Sequence, residues 1–426
     1  MKIKKGYWIP SLILLILLIV LLVGLSKSIY DSLHPTLTIG IYTGSSWDVP
    51  NSRQYRMINY ITKKFKKDYP NVKVAYESGI RKSDYINWLS EKIVNGQAPD
   101  VMIIPQENFN VFASEGAFKN ITNYVKRENI GHKFYSGALA AGQYNNKQYA
   151  LPYETNPTIL LANQKLLKQN GLTDLNKVQN VNYFRNLCHQ ISIKKNQYGI
   201  TSNYNWYDAQ LAYGSKLFEG DNHALDLETS KVRAGFNLIE DLNNDSQLRN
   251  VTSNMFDQGS VAFMPLNFAQ YRTHTSYPYY VTQNSNFAIK TLKMPGKKST
   301  PASTTCFAIS SQSRKTGIAW KFIKLVCSDK QVQQKLMQNH WGCSIMPSVI
   351  KTKETARILA RDESFKDSIS TTQLDAILKD ETVEPKFKNY YTVLARLDYQ
   401  IETALNNGDL ASQLFNIQLN INKQIQ

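Results

Sequence analysis

Few residues in this chain stand at spacings that would make or break a bond. Gly296-Lys297-Lys298-Ser299-Thr300 has the ending of a phosphate-cradling loop, but position 291 is Thr where such a loop needs its first glycine. It reads as a basic surface loop. Ser192-Ile193-Lys194-Lys195 and Lys315-Thr316-Gly317 echo a serine–lysine acyl-transfer set. No S-x-N or Y-x-N lies between them, and Lys315-Thr316-Gly317 opens a helical pattern instead of a strand. G-x-S-x-G does not occur, and the six histidines are scattered, none in H-E-x-x-H, so no metal site is marked and no cofactor is expected. Carboxylates are available, Asp48 and Glu107 among them, and a glycosidase needs two flanking a sugar bond. Their expected role is to hydrogen-bond ligand hydroxyls or to stay solvated. What remains is the chemistry of binding: 25 tyrosines and 6 tryptophans beside amides and acids.

The elements that must position such groups belong to an ordinary globular chain. Its 426 residues are too many for one compact core, and 42% are hydrophobic against 19% charged. That balance excludes a disordered tail, a fibre and a multi-span transporter. Four cysteines exclude a disulfide-dense scaffold. Cys188, Cys306, Cys327 and Cys343 allow three full pairings, and free buried thiols are the expected state. The formal charge of +17 suits an anionic cell envelope. No nucleic-acid partner is expected, because the N-terminus places the chain outside the cytoplasm.

That N-terminus is an export segment. Lys2, Lys4 and Lys5 precede a charge-free apolar run from Tyr7 to Leu25, closed by Lys27. About 20 apolar residues span a bilayer, and the flanking lysines keep the N-terminus inside. The run has neither an A-x-A cleavage site nor a lipobox cysteine. Residues 1–30 are therefore expected to anchor the chain, or to act as a signal if cleaved. The globular part then lies outside the cell.

Beyond it, Leu37 to Tyr42 alternates as a strand, and Met57, Ile61 and Phe65 repeat at i+4 on a helix that Pro70 stops. Val72, Val74 and Tyr76 form a second strand, and Tyr85, Leu89 and Ile93 mark a second helix capped at Asn95-Gly96. Val101-Met102-Ile103-Ile104 is a short apolar run typical of a buried parallel strand. This β-α-β-α-β order predicts a doubly wound α/β domain with functional loops at the carboxyl ends of its strands. Further on, 205 to 245 reads as helical, Val261 to Met264 as a strand, 276 to 305 as loop and edge strand. Residues 319–326 and the region around Val393 to Leu405 read as helices.

Four collinear motifs resemble the extracellular solute-binding proteins of ABC importers, the carbohydrate-type family 1. They are Gly96-Gln97-Ala98-Pro99-Asp100-Val101 with Phe112-Ala113-Ser114-Glu115-Gly116, and Leu151-Pro152-Tyr153-Glu154-Thr155-Asn156-Pro157 with Asn163. The others are Phe256-Asp257-Gln258-Gly259-Ser260-Val261-Ala262-Phe263, and helix 319–326 with Trp341-Gly342-Cys343 and Pro347. The resemblance implies a two-lobe, periplasmic-binding-protein-like (type II) α/β fold with a ligand cleft between the lobes. One lobe would comprise 31–150 with 266–328 and the other 151–265 with 329–426, with a hinge near Pro152. The family's lipobox cysteine is missing, and Asn267-Phe268 stands where many sugar binders carry a tryptophan.

The function so implied is a monomeric receptor that captures a small polar solute and delivers it to an ABC permease in the membrane. No reaction is expected of it. A sugar is the expected solute, since its C–H faces stack on aromatic rings while its hydroxyls take amide and carboxylate partners. The alternatives are a surface glycan hydrolase and a solute sensor coupled to a membrane kinase. Loops at the carboxyl ends of strands select Trp47, Asp48, Glu77, Gln106 and Glu107 as ligand contacts. From the other lobe come Tyr153 and Glu154 at the crossover, Trp206 in a polar turn, and Asn267. Tyr391, after Pro385, resembles the family's stacking aromatic.

Overall fold

The computed structural model of the chain describes residues 12–22, 33–44, 46–47, 54–172, 174–219, 224–246, 248–273, 287–339, 341–361 and 369–425. Strands Thr36–Gly40, Lys73–Tyr76 and Val101–Ile104 run parallel, with Thr36–Gly40 between the other two. Helices Gln54–Asp68 and Lys82–Val94 make the crossovers. Met57, Ile61 and Phe65 are fully buried, so the i+4 stripe does face the sheet. Phe65 meets Phe322 edge-on, with ring centroids 5.2 Å apart. All four residues of Val101–Ile104 are buried, as a strand covered on both faces requires.

The next strand of this sheet comes from far along the chain. Ala302–Ile309 lies antiparallel between Val101–Ile104 and the first half of Ala150–Asn163. Its first residues fall within the stretch expected to be loop and edge strand; it is central instead. Ser303-Thr304-Thr305 read as surface because their hydroxyls serve neighbours, Thr304 donating to Thr155 at 2.9 Å.

The 14-residue strand Ala150–Asn163 belongs to two sheets in succession. Residues 150–157 pair with Ala302–Ile309, and Thr158 to Ala162 pair with Val261–Asn267. Ile289–Leu292 lies on its other side, and Tyr198–Ile200 completes the second sheet beside Val261–Asn267. The chain thus passes between sheets at Pro157 and Thr158, beyond the expected hinge at Pro152. Pro152 sits inside the first sheet opposite Cys306, at a register shift that accommodates its missing N–H.

A first core covers the first sheet and reaches under one face of the second. A second core, with Phe184, Trp206, Phe236 and Leu397, covers the other face with helices Val181–Ser192, Ser230–Ser246, Tyr390–Asn407 and Leu410–Ile425. Two segments depart from the division expected of the lobes. Ile289–Leu292 pairs in the second sheet. Helix Lys330–Asn339 packs on Gln54–Asp68, with Lys64 bonded to Asp329 at 2.9 Å, and Cys343–Ser344 pairs with Thr155 and Glu154. Buried Val332, Leu336 and Met337 face the first core, which is what draws that helix there. The chain returns to the second core along a strap, residues 380–389, between helices Thr371–Lys379 and Tyr390–Asn407.

Of residues 1–30, expected to be an export segment, 12–22 are helical with exposed side chains; 1–11 and 23–32 lie outside the described residues. Among the described residues no helix is long and apolar enough to cross a membrane. All four cysteines are free and buried, and burial pushes the Cys306 thiol up to about 12.

Candidate functional site: a cleft at the crossover

The carboxyl ends of the first sheet's strands open onto a cavity of about 390 Å³ that lies where the two sheets meet. Ser46 and Trp47 enter it from the loop after Thr36–Gly40. Lys82 enters from the start of Lys82–Val94, and Gln106 and Glu107 from the first turn of Gln106–Ser114. The floor is Asn156 and Thr158 of the crossover strand with Pro301, Ala302 and Ser303. The far wall is Asn267, Glu384 and Tyr391. A doubly wound sheet offers ligands this edge because its loops, not its hydrogen-bonded strands, carry free side chains there.

Local hydrogen bonding explains how each side chain is held. Lys82 donates to the Ser46 carbonyl at 2.9 Å, tying the start of its helix to the Trp47 loop. The Ser46 hydroxyl donates to Glu154, and Tyr42 donates to Ser46. Asn267 caps helix Phe268–Thr273: its side chain accepts from Gln270 N–H at 2.9 Å, and the Gln270 amide accepts from Asn267 N–H at 3.3 Å. Asn156 accepts from Ala269 N–H at 2.9 Å, which fixes the same helix to the floor. Gln106 accepts from Thr304 N–H, so its amide NH₂ turns toward Glu384. Glu384 also accepts from the Tyr391 hydroxyl. Burial raises the Glu384 carboxyl above the usual carboxylate range, against the lowering effect of these two donors. Burial, followed by the Glu384 charge, holds the Tyr391 phenol well above its ordinary value.

Five of the ten expected contacts meet here: Trp47, Gln106, Glu107, Asn267 and Tyr391. Asp48 lies outside the described residues. Glu77 is exposed in a separate groove with Tyr76, Trp88 and Lys92, and its carboxylate is 3.8 Å from Lys92. It stands at the carboxyl end of the edge strand, too far out for the cleft. Tyr153 is core, 2% exposed and edge-on to Phe307 with centroids 5.0 Å apart. Glu154, one residue on, is also buried, and it accepts from the Ser46 hydroxyl at the cavity wall. Trp206 is the first residue of helix Trp206–Ala212, and its ring lies 1% exposed in the second core. Its polar surroundings are explained by the Asn205–Asp208 capping box and by the bond from its indole to Asp398 at 2.7 Å.

The residues missed had signals of two kinds. Asn156 and Thr158 lie in or beside the motif around Pro152, and Glu384 directly precedes Pro385. Ser46, Lys82 and Ser303 carried no pattern of their own. Among the described residues no group of acids, histidines and cysteines could hold a metal ion. The arrangement can stack a ring on Trp47 or Tyr391 and hydrogen-bond hydroxyls with amides, Glu107 and Lys82. That is recognition chemistry for a polar, ring-shaped solute.

Comparison with known proteins agrees with this geometry. Over 195 residues the chain is 24% identical to the maltotriose-binding protein of Pyrococcus abyssi (strain GE5 / Orsay). That match covers 45% of this chain and 40% of the relative, so the chain spans well under half of that protein's length. The fold is similar to the sugar-binding protein MalE from Xanthomonas citri, at a TM-score of 0.74 and 15% identity, covering 92% of this chain and 97% of that one. It is also similar to the cyclic alpha-maltosyl-1,6-maltose binding protein from Arthrobacter globiformis, at a TM-score of 0.73 and 13% identity, covering 92% and 98%. The architecture is therefore the two-lobe α/β fold of periplasmic binding proteins. The family model described as bacterial extracellular solute-binding protein matches residues 61–360, and the chain belongs to that family.

Proposed function

We propose that the chain binds a neutral oligosaccharide outside the membrane and hands it to an ABC permease. The cavity carries this reading: about 390 Å³, with Trp47 and Tyr391 on its walls and amide and hydroxyl side chains between them. Relatives named for maltotriose and for a cyclic maltosyl-maltose favour a malto-oligosaccharide. The first lobe is then 33–157 with 302–350 and the second 158–292 with 390–425, helices 353–379 filling the join. Ligand contacts to both lobes stabilise a closed state, and the crossovers bend to reach it.

No bond is broken in this cycle, so the sugar is released intact. The receptor acts as a monomer, tethered by residues 1–30, and mass analysis of native protein checks the tether: a mature start between 28 and 37 would refute it. The test of the ligand is a thermal-shift screen of maltose, maltotriose, maltotetraose and cyclodextrins beside acidic and amino sugars. A neutral oligosaccharide at 100 times its Kd should add about 2.7 kcal/mol of stability. Stabilisation by none of the saccharides would overturn the reading, and recovery of cleaved sugar would turn it into that of a hydrolase.

A further inference from the structure

Glu384 occupies a position that the cleft alone does not explain. It lies on the strap 380–389, the last passage of the chain between the two lobes. One oxygen of its carboxylate takes two donors from opposite sides. Gln106 comes from the first-lobe helix Gln106–Ser114, and Tyr391 from the second-core helix Tyr390–Asn407. The Gln106 amide has no choice of orientation, because its carbonyl oxygen accepts the Thr304 backbone N–H. The strap is moored to the first lobe nearby: Asn110 donates to the Pro385 carbonyl at 3.2 Å, and Lys386 donates to the Ala141 carbonyl at 3.2 Å.

We propose that Glu384 is a positioning residue that links the two lobes across the cleft and fixes how Tyr391 faces the ligand. With its hydroxyl committed to Glu384, Tyr391 presents its ring, not its O–H, to the cavity. A stacking surface held in place before the ligand arrives loses less side-chain freedom on binding. The same bond limits how the lobes move: closure must pivot about the Gln106–Glu384–Tyr391 link or break it. The inference rests on the solute-binding reading but concerns a residue that need not touch the solute. The charged and titratable groups around the link are Glu107, Lys386, Tyr207 and Tyr390.

The test has one arm that needs no ligand. Tyr391→3-fluorotyrosine gives a fluorine NMR reporter in the full chain, titrated with pH alone. With Glu384 present the phenol should stay protonated well into alkaline solution. In Glu384→Ala it should titrate at lower pH with a moved or broadened signal, and in Glu384→Gln, which keeps the shape and loses the charge, it should fall between. The second arm is calorimetric titration with maltotriose. Glu384→Ala should weaken binding roughly 10-fold or more, the loss of a hydrogen bond to a charged group. Tyr391→Phe should weaken it too, and the double variant should be little worse than Glu384→Ala, as coupled residues require. An unchanged fluorine titration overturns the proposal whatever maltotriose does. So does wild-type affinity in both Glu384 variants, or strict additivity. If wild-type protein ignores maltotriose, that ligand reading fails while the fluorine arm still decides the link.

Discussion

The Ser46 hydroxyl lies 2.7 Å from the buried carboxylate of Glu154, joining the loop that carries Trp47 to the crossover strand. Ser46→Ala removes one donor from a carboxylate that is 1% exposed. The expected loss is about 1.5–3 kcal/mol of stability, the range for a hydrogen bond to a charged group. Ligand affinity should fall as well, because the Trp47 loop is less firmly seated. Urea denaturation reads the first effect and calorimetry the second; a change of under about 0.5 kcal/mol would show the bond to be dispensable.

Trp47 and Trp206 should separate cleanly. Trp47→Ala should cost about 1–3 kcal/mol of binding, a roughly 5- to 150-fold loss of affinity, with little change in melting. Trp206→Ala empties a site in the second core, so it should cost about 3–5 kcal/mol of stability. Its binding, measured below the lowered melting temperature, should stay near wild type. The reverse pattern would place the cleft elsewhere.

Glu381 gives stability a pH dependence. It is 4% exposed, receives the Thr155 hydroxyl at 3.1 Å, and burial pushes its carboxyl up to about 8. The folded protein therefore holds a proton that the unfolded chain gives up near pH 4.5. The stability it supports is complete below that pH and is lost as pH rises through about 8, by on the order of a few kcal/mol. Glu381→Gln imitates the protonated acid and should remove most of this slope. Asp208, pushed up to about 7 by burial, leaves a smaller one. Chemical denaturation from pH 5 to 9 decides: identical slopes in both proteins would mean that Glu381 is ionised in the fold.

Closure should pivot at Pro157 and Thr158, where Ala150–Asn163 changes sheets. Pro157→Gly should loosen the pivot and weaken affinity, while Pro152→Gly, inside the first sheet, should act mainly on stability. Small-angle scattering should show the radius of gyration shrinking when ligand saturates the wild-type chain. An unchanged radius would refute closure.

How much of this was legible depended on whether a residue's partner was near in sequence. The first three strands and two helices could be read because Met57, Ile61 and Phe65 carry a helical period and Val101–Ile104 is an unbroken apolar run. The strand Ala302–Ile309 could not: three of its eight residues carry hydroxyls, and the partners of Thr304, Gln106 and Thr155, are about 150 to 200 residues away. Trp206 misled for a related reason. Asn205 and Asp208 look like a solvent-facing turn but form a capping box at a buried helix start, and the indole's partner is 192 residues on. Loops after strands led to Trp47, Gln106 and Glu107, which line one cavity. The rule failed for Glu77 because the strand order sets Lys73–Tyr76 at the edge, and order is not written in any one segment.

The returning chain path also dictates when the molecule can fold. The first core includes Leu374, Ile377 and Leu378, and the second includes Leu410, Leu414 and Ile421. Neither can be completed by a contiguous N-terminal stretch, so a growing chain has no early lobe to finish while the rest is made. Nascent chains cut at 300 should be digested by protease as readily as unfolded ones, whereas chains reaching 425 should resist. A sequence built this way stays loose until nearly all of it exists, which is the state in which a polypeptide can still be threaded through a narrow export channel.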